Sequence, residues 1–273
     1  MALTFHKFHG AGNDFIIFDD REGLFSNQVK NQREFINRVC NRNFGIGADG
    51  LMLLKNSDIA DFQMVYFNSD GREGSLCGNG GRCIVAFAQT LGMLSNQTTF
   101  LATDGLHLAT INSFERNLWD ISLKMNDVET VSGYNNEYFV HTGSPHLVIF
   151  SGDISEKDVF TLGRAIRYSG AYASNGVNVN FAQVLTADTI KMRTYERGVE
   201  NETLACGTGA TAVAISAWAS GVCNPGNVYV LNAPGGQLRV NFLPPENQQG
   251  IFREVWLSGP AQKVFEGNIQ LNE

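Results

Sequence analysis

The chain has 273 residues, 43% of them hydrophobic and 17% charged, and a formal net charge of −7. That length suggests one large or two ordinary domains with ample material for packed cores, and the acidic balance without Lys/Arg clusters argues against nucleic acid or an anionic membrane as partner. No apolar run approaches the roughly 20 residues that span a bilayer, the first residues lack a signal-peptide pattern, and five cysteines form no dense framework, so a cytoplasmic protein with free thiols is expected.

In chain order, residues 3–8 and 15–18 read as short strands bounded by Gly, Asn and Asp. Residues 27–40 read as a helix behind a Ser26 cap, with Val29, Ile36, Val39 and Cys40 at helical spacing. Strands are predicted at 62–67, 99–102 and 106–111. Hydrophobicity then drops at 113–117, which places a boundary between a domain of residues 1–114 and one of residues 115–260, with the tail 261–273 returning to the first. The second half repeats this character, with strands at 118–125, 138–140, 147–150, 177–184, 190–195 and 228–231. It adds a helix at 155–168, started by Ser155 and Asp158, and a hairpin turn at Pro234-Gly235-Gly236.

Two cysteine-glycine turns stand out, Cys77-Gly78-Asn79-Gly80 and Cys206-Gly207-Thr208-Gly209, each opening a long Ala-rich apolar segment. Such a run reads as a helix, so each thiol should sit at a helix N-terminus, where outward N–H groups favour thiolate. The same 129 positions separate Cys77 from Cys206 and Asp49 from Asn178, and 131 separate Asn13 from Ser144. Three blocks recurring in one order point to an internal duplication. A helix that is apolar all round must be buried on every side. The expectation is therefore an α+β fold of two pseudo-symmetric β-rich domains. Each is a barrel-like curved sheet around a central helix, with the active site in the cleft between them.

Cys40, Cys83 and Cys223 read as small buried hydrophobes. Cys77 and Cys83 have no second Cys or His pair to complete a zinc site, and no Lys follows the Cys206 glycines as a phosphate-binding loop requires. His146, Glu196, Arg197, Asn13, Asn68, Asn79 and Asn178 are each ambiguous alone, but turns converging on one cleft would make a polar site.

Taken together, Gly10-Ala11-Gly12-Asn13-Asp14-Phe15, Cys77-Gly78-Asn79-Gly80-Gly81-Arg82-Cys83, Ser144-Pro145-His146, Glu196-Arg197-Gly198 and Ala205-Cys206-Gly207-Thr208-Gly209 resemble the diaminopimelate epimerase family. The resemblance runs from about residue 3 to 268. It implies cofactor-independent, metal-free inversion of one α-carbon, converting LL- to meso-2,6-diaminopimelate for lysine and peptidoglycan synthesis. By similarity Cys77 is the proton donor and Cys206 the acceptor in one direction, with the roles reversed in the other. His146 and Glu196 would tune the thiols, and Asn13, Asn68, Gly78, Asn79, Asn178, Glu196, Arg197, Gly207 and Thr208 would bind substrate. The partner implied is a small molecule, with a homodimer possible. Departures are Gly50 for a Gln found in some members, Ser144 for an Asn, one extra residue between Arg197 and Cys206, and Phe265 for a Tyr that helps dimerisation.

A two-base logic suits the residues, because removing a proton from one face of a carbon and delivering one to the other needs a group on each side. The competing readings are a proline or hydroxyproline racemase-like enzyme, a Cys–His hydrolase, and a non-catalytic amino-acid-binding protein.

Overall fold

A computed structural model describes residues 2–74, 77–223, 226, 228–246 and 250–271. Among them are sixteen strands and five helices. The chain divides into two compact units, Met1–Leu123 with Gly259–Glu273, and Lys124–Ser258. The boundary expected at 113–117 is instead the tight turn of a hairpin, where Arg116 and Asn117 take φ of 50° and 67°. Low hydrophobicity there marks a solvent-facing turn between paired strands, which composition alone does not separate from a linker.

In the first unit, β1 (Ala2–Gly10) and β2 (Asn13–Asp19) are followed by α1 (Leu24–Gln28) and α2 (Gln32–Cys40). Then come β3 (Gly50–Lys55), β4 (Phe62–Asn68), α3 (Gly78–Thr90), β5 (Gln97–Ala102), β6 (Gly105–Glu115) and β7 (Leu118–Lys124). These strands lie in chain order around a ring that β16 (Arg253–Gln270) completes by pairing with both β7 and β1. Eight strands thus close on themselves and leave no free edge. The single helix expected at 27–40 is two. Asp20 accepts from the backbone N–H of Phe25 and Ser26 and starts the first, and Asn31, accepting from the Glu34 N–H, starts the second.

β2 and β3 alternate strictly between two apolar layers. Phe15, Ile17, Met52 and Leu54 face inward onto α3, whereas Ile16, Phe18, Leu51 and Leu53 face outward under Phe25, Phe35, Ile36 and Val39 of α1 and α2. Both faces being covered, the period of two is masked in the sequence by continuous hydrophobicity. Every residue of α3 from Gly78 to Ala88 is buried.

The second unit holds β8 (Val131–Tyr134), β9 (Glu137–His141), β10 (Pro145–Phe150), α4 (Val159–Arg167), β11 (Asn178–Val184), β12 (Thr189–Glu196) and β13 (Asn201–Thr203). It continues with α5 (Gly207–Ser220), β14 (Tyr229–Ala233), β15 (Gly236–Leu243) and the start of β16. Asp158, not Ser155, caps α4, accepting from Thr161 N–H at 3.0 Å. Pro234-Gly235 makes the two-residue turn between β14 and β15. Strand directions repeat the first unit: β9–β10 antiparallel, β10–β11 parallel, β11–β12 antiparallel and β12–β14 parallel match β1–β2, β2–β3, β3–β4 and β4–β5. The parallel crossovers carry similar cargo, surface helices in one (α1 and α2 in the first unit, α4 in the second) and the buried helix, α3 or α5, in the other. Among the described residues no helix is long and apolar enough to cross a membrane.

Phe87 of α3 is 0% exposed, whereas Phe44 is 88% exposed. Phe87→Ala should lower unfolding stability by about 3–5 kcal/mol in urea titrations, while Phe44→Ala should stay within about 0.5 kcal/mol of the parent.

Candidate active site

Each buried helix begins at a cysteine. Cys77 and Cys206 are the residues preceding the first turn of α3 and α5, both in extended conformation, and their carbonyls accept the first helical hydrogen bonds, from Gly81 and Ala210. A thiol is a poor cap, and neither side chain bonds its helix N–H groups. The positive end of the helix dipole therefore acts on the sulfur. Cys77 is half-buried, Cys206 is buried, and all five cysteines are free thiols.

Around Cys77 the polarity of every amide is fixed by groups that can only donate or only accept. Asp49 accepts from Asn13 Nδ2 at 2.7 Å, which leaves Asn13 Oδ1 as the acceptor facing Cys77 Sγ at 3.4 Å and Asn79 Nδ2 at 3.3 Å. Arg82, wholly buried, donates from Nη2 to Asn79 Oδ1 at 2.7 Å and from Nε to the Pro260 carbonyl at 3.2 Å. Asp49 is itself held by Arg42, which also grips Asp14 through both terminal guanidinium nitrogens. Burial pushes the Asp14 carboxyl up, but hydrogen bonds from Arg42 and Lys7 outweigh it and hold the group at about 2. Asn68 lies exposed at the end of β4, with its Oδ1 3.2 Å from the Tyr66 hydroxyl.

The second unit repeats the arrangement with different groups. Asn178 Nδ2 donates to Ser144 Oγ at 3.2 Å; strand register places Asn178 at the position of Gly50, one residue past the Asp49 that bonds Asn13, so the equivalence of Asp49 and Asn178 expected from spacing is off by one. Thr208 lies 3.4 Å from Ser144, where the first unit has Asn79 and Asn13. Thr208 Oγ1 is also 3.5 Å from Cys206 Sγ and 2.9 Å from His146 Nε2. The Thr142 hydroxyl donates to the Thr208 carbonyl at 2.8 Å, tying β9 to the head of α5. Asn178 Oδ1 accepts from the Arg197 backbone N–H at 2.9 Å, so one amide links β10, β11 and the end of β12.

The turn after β12 takes up the long loop. Glu200 N–H bonds the Glu196 carbonyl at 2.8 Å, Gly198 and Glu200 take φ of 92° and 57°, and β13 pairs back on β12. Glu196 accepts from Thr203 Oγ1 across that pair at 2.9 Å. Arg197 is exposed and donates from Nη1 to the Asn175 carbonyl.

Burial drives the other thiols away from reactivity. It pushes Cys40 up to about 12 and raises Cys83 and Cys223 as well. Among the described residues no group of three or more His, Cys, Asp or Glu side chains is placed to hold a metal ion.

The profile of the diaminopimelate epimerase family matches this chain twice, over residues 5–131 and 138–264. The chain belongs to the diaminopimelate epimerase family. A diaminopimelate epimerase of Flavobacterium psychrophilum is 48% identical over 267 residues, spanning 98% of this chain and all of that protein. In fold the chain is similar to a phenazine biosynthesis protein of the PhzF family from Bacillus anthracis, with a TM-score of 0.74, 13% identity, and coverage of 99% and 100% of the two chains. It is also similar to a probable proline racemase from Agrobacterium radiobacter, with a TM-score of 0.70, 15% identity, and coverage of 99% and 93%. Both likenesses concern the fold alone.

Seen against the family motifs, the structure gathers Asn13, Cys77, Gly78 and Asn79 at the head of α3. It gathers His146, Asn178, Gly207 and Thr208 around Cys206 at the head of α5, with Arg197 reaching that group through its backbone N–H. Glu196 accepts from Thr203 of β13. Sequence reasoning missed Asp49 and Arg82 as orienting groups and overlooked Asn180 and Thr194 in β11 and β12. Asn180 was within reach, because it lies two residues from Asn178 and so shares its strand face.

His146 is fully buried, and burial lowers its pKa from 6.5 to about 3, with His141 and Arg197 adding to the shift. Below about pH 6.5 the unfolded chain takes a proton that the native imidazole refuses. The stability tied to this residue is thus complete above that pH and drains away as pH falls toward 3. Acidifying from pH 7 to 5 should cost about 2 kcal/mol from this group. Urea titrations at the two pH values should show that loss in the parent and a smaller one in His146→Gln.

Proposed function

We propose that this protein is a cofactor-independent amino-acid epimerase that interconverts LL- and meso-2,6-diaminopimelate, with Cys77 and Cys206 as the proton-exchanging pair. The observation that carries the reading is the duplicated placement of one thiol at the head of each buried helix, in a chain of this family. The family's substrate name supplies diaminopimelate, and with it a cytoplasmic role in lysine and peptidoglycan synthesis.

The reaction asks for a base on one face of the α-carbon and an acid on the other. A thiolate removes the α-proton, negative charge develops toward the α-carboxylate, and the second thiol delivers its proton to the opposite face. The carbanion-like transition state is supported by helix N-termini, whose N–H groups and dipoles need no reorganisation as charge appears. The networks support a division of labour in the resting protein. Cys77 faces a carbonyl oxygen, so its sulfur donates a proton; Cys206 faces a hydroxyl that can donate to it. In the direction that starts from this state Cys206 is the base and Cys77 the acid, and turnover exchanges the roles. Asn13, Asn68, Asn79, Asn178, Gly78, Gly207 and Thr208 present amides and N–H groups to the amino-acid head at the reacting centre. Arg197 grips a carboxylate and Glu196 an ammonium, which orients a substrate that bears both.

In heavy water, with no added cofactor, diaminopimelate should gain deuterium at Cα. Cys77→Ala and Cys206→Ala should each lower kcat by about 10²–10⁴-fold or more while retaining the thermal unfolding midpoint. A Cys206→Ala enzyme within about tenfold of the parent rejects the two-thiol mechanism.

Arg197→Met should depress kcat/KM for diaminopimelate by about 10–100-fold, with circular dichroism unchanged. Equal efficiency of the parent on proline and on diaminopimelate would instead favour a racemase of the proline type.

A further inference from the structure

The column of side chains beneath Cys206 has no counterpart beneath Cys77. In the parallel pair β10–β11, His146 stands opposite Asn178 and Val148 opposite Asn180; in β2–β3, Phe15 stands opposite Gly50 and Ile17 opposite Met52. His146 and Asn180 thus occupy the places of Phe15 and Met52. The helix glycines confirm the match: a Cβ on Gly80 would meet Met52 Sδ at 3.2 Å, and one on Gly209 would meet Asn180 Oδ1 at 2.5 Å. One unit fills these places with apolar core, the other with two wholly buried polar side chains. Burying them costs stability unless each hydrogen bond is made, so a packing role alone is served better by the Phe and Met of the first unit.

The hydrogen bonds are made, and in one sense only. The Leu147 carbonyl, which can only accept, lies 3.2 Å from Asn180 Nδ2, and Thr194 Oγ1 donates to Asn180 Oδ1 at 2.9 Å. The orientation of the amide is therefore settled, and its second N–H points at His146 Nδ1, 3.1 Å away. Nδ1 accepts, so a neutral imidazole carries its proton on Nε2. Nε2 lies 2.9 Å from Thr208 Oγ1 and 3.0 Å from Ser144 Oγ, and Ser144 already receives Asn178 Nδ2. A Thr208 hydroxyl that accepts from Nε2 has its own proton to give, and Cys206 Sγ is 3.5 Å away. His141 and Arg197 are the charged or titratable groups that act on His146, and both oppose a second proton on the ring.

We propose that Asn180 is a positioning residue that locks His146 in the Nε2–H tautomer, which turns the Thr208 hydroxyl proton onto Cys206 Sγ and favours the thiolate there. Its role in turnover rests on the two-thiol reading above, whereas the hydrogen-bond polarity does not.

Nitrogen-15 NMR of histidine-labelled, substrate-free protein reads the tautomer, with the His146 signals assigned by their absence from His146→Gln. The expected result is a protonated Nε2 and a bare Nδ1 across neutral pH; a protonated Nδ1 overturns the proposal. Ultraviolet thiolate titration of Cys206, in a Cys77→Ser background, then tests the consequence. Asn180→Ala and Thr208→Val should each raise its midpoint by about one pH unit or more, while Thr208→Ser keeps it. Cys77, titrated in a Cys206→Ser background, should not move with Asn180→Ala. A Cys206 midpoint unmoved by Thr208→Val, or equal shifts of both thiols with Asn180→Ala, overturns it. Both readouts need no substrate, so a parent protein that fails to epimerise diaminopimelate would reject the reaction and leave them standing.

Discussion

Burial of an apolar helix inside a sheet is the constraint from which the rest of this structure follows. α3 and α5 have no polar face to offer solvent, so strands must surround each of them. A helix so enclosed exposes its chemistry only at an end. At the N-terminal end the N–H groups are unmet by the helix itself, and the residue placed there feels their combined field. A cysteine at that position is the least perturbed way to present a polarisable sulfur to such a field. The sheet that satisfies the hydrophobic demand thereby also builds the polar rim, because the strand ends nearest the helix head carry Asn13, Asp49, Ser144 and Asn178.

Duplication gave each unit the same frame, and the two have since diverged in what stands beneath the sulfur. In the first, a salt-bridged cluster of Asp14, Asp49, Arg42 and Lys7 sets the amide of Asn13 from outside the barrel. In the second, the orienting groups lie within it, at Asn180, His146 and Thr194. The two solutions set different groups against their thiols, the carbonyl oxygen of Asn13 against Cys77 and the hydroxyl of Thr208 against Cys206. On the proposed two-thiol reading, a reaction that begins with one acid and one base is served by such a difference, which perfect symmetry would deny it.

Much of this was legible in the chain. The paired Cys-Gly turns, their Ala-rich continuations and the recurring spacing expose both the buried helices and the duplication, because glycine loops and all-apolar helices leave strong local signatures. The strand ends and the domain boundary were less legible. Strands such as β2 and β3 are apolar on both faces, so their period is hidden, and β16 reads as mixed because its surroundings change along its length. The orienting residues were the least legible. Arg82 and Asn180 look unremarkable until long-range pairing shows Arg82 wholly buried against Pro260 and Asn180 beneath the second thiol.

The strand β16 has a consequence for how the molecule is made. Ala2 pairs with Gln270 and Phe5 with Gly267, so β1 closes its ring with β16, the last of the described strands. During synthesis from the N-terminus, the first unit has its three helices and seven strands available long before the eighth strand has been made. Its barrel must wait, with the edges of β1 and β7 uncovered, until the second unit and then residues 259–270 emerge. Contacts of such long sequence separation are slow to form and expose strand edges to other chains in the interval. The order of completion is therefore the reverse of the order of translation, and the unit synthesised first is the last to close.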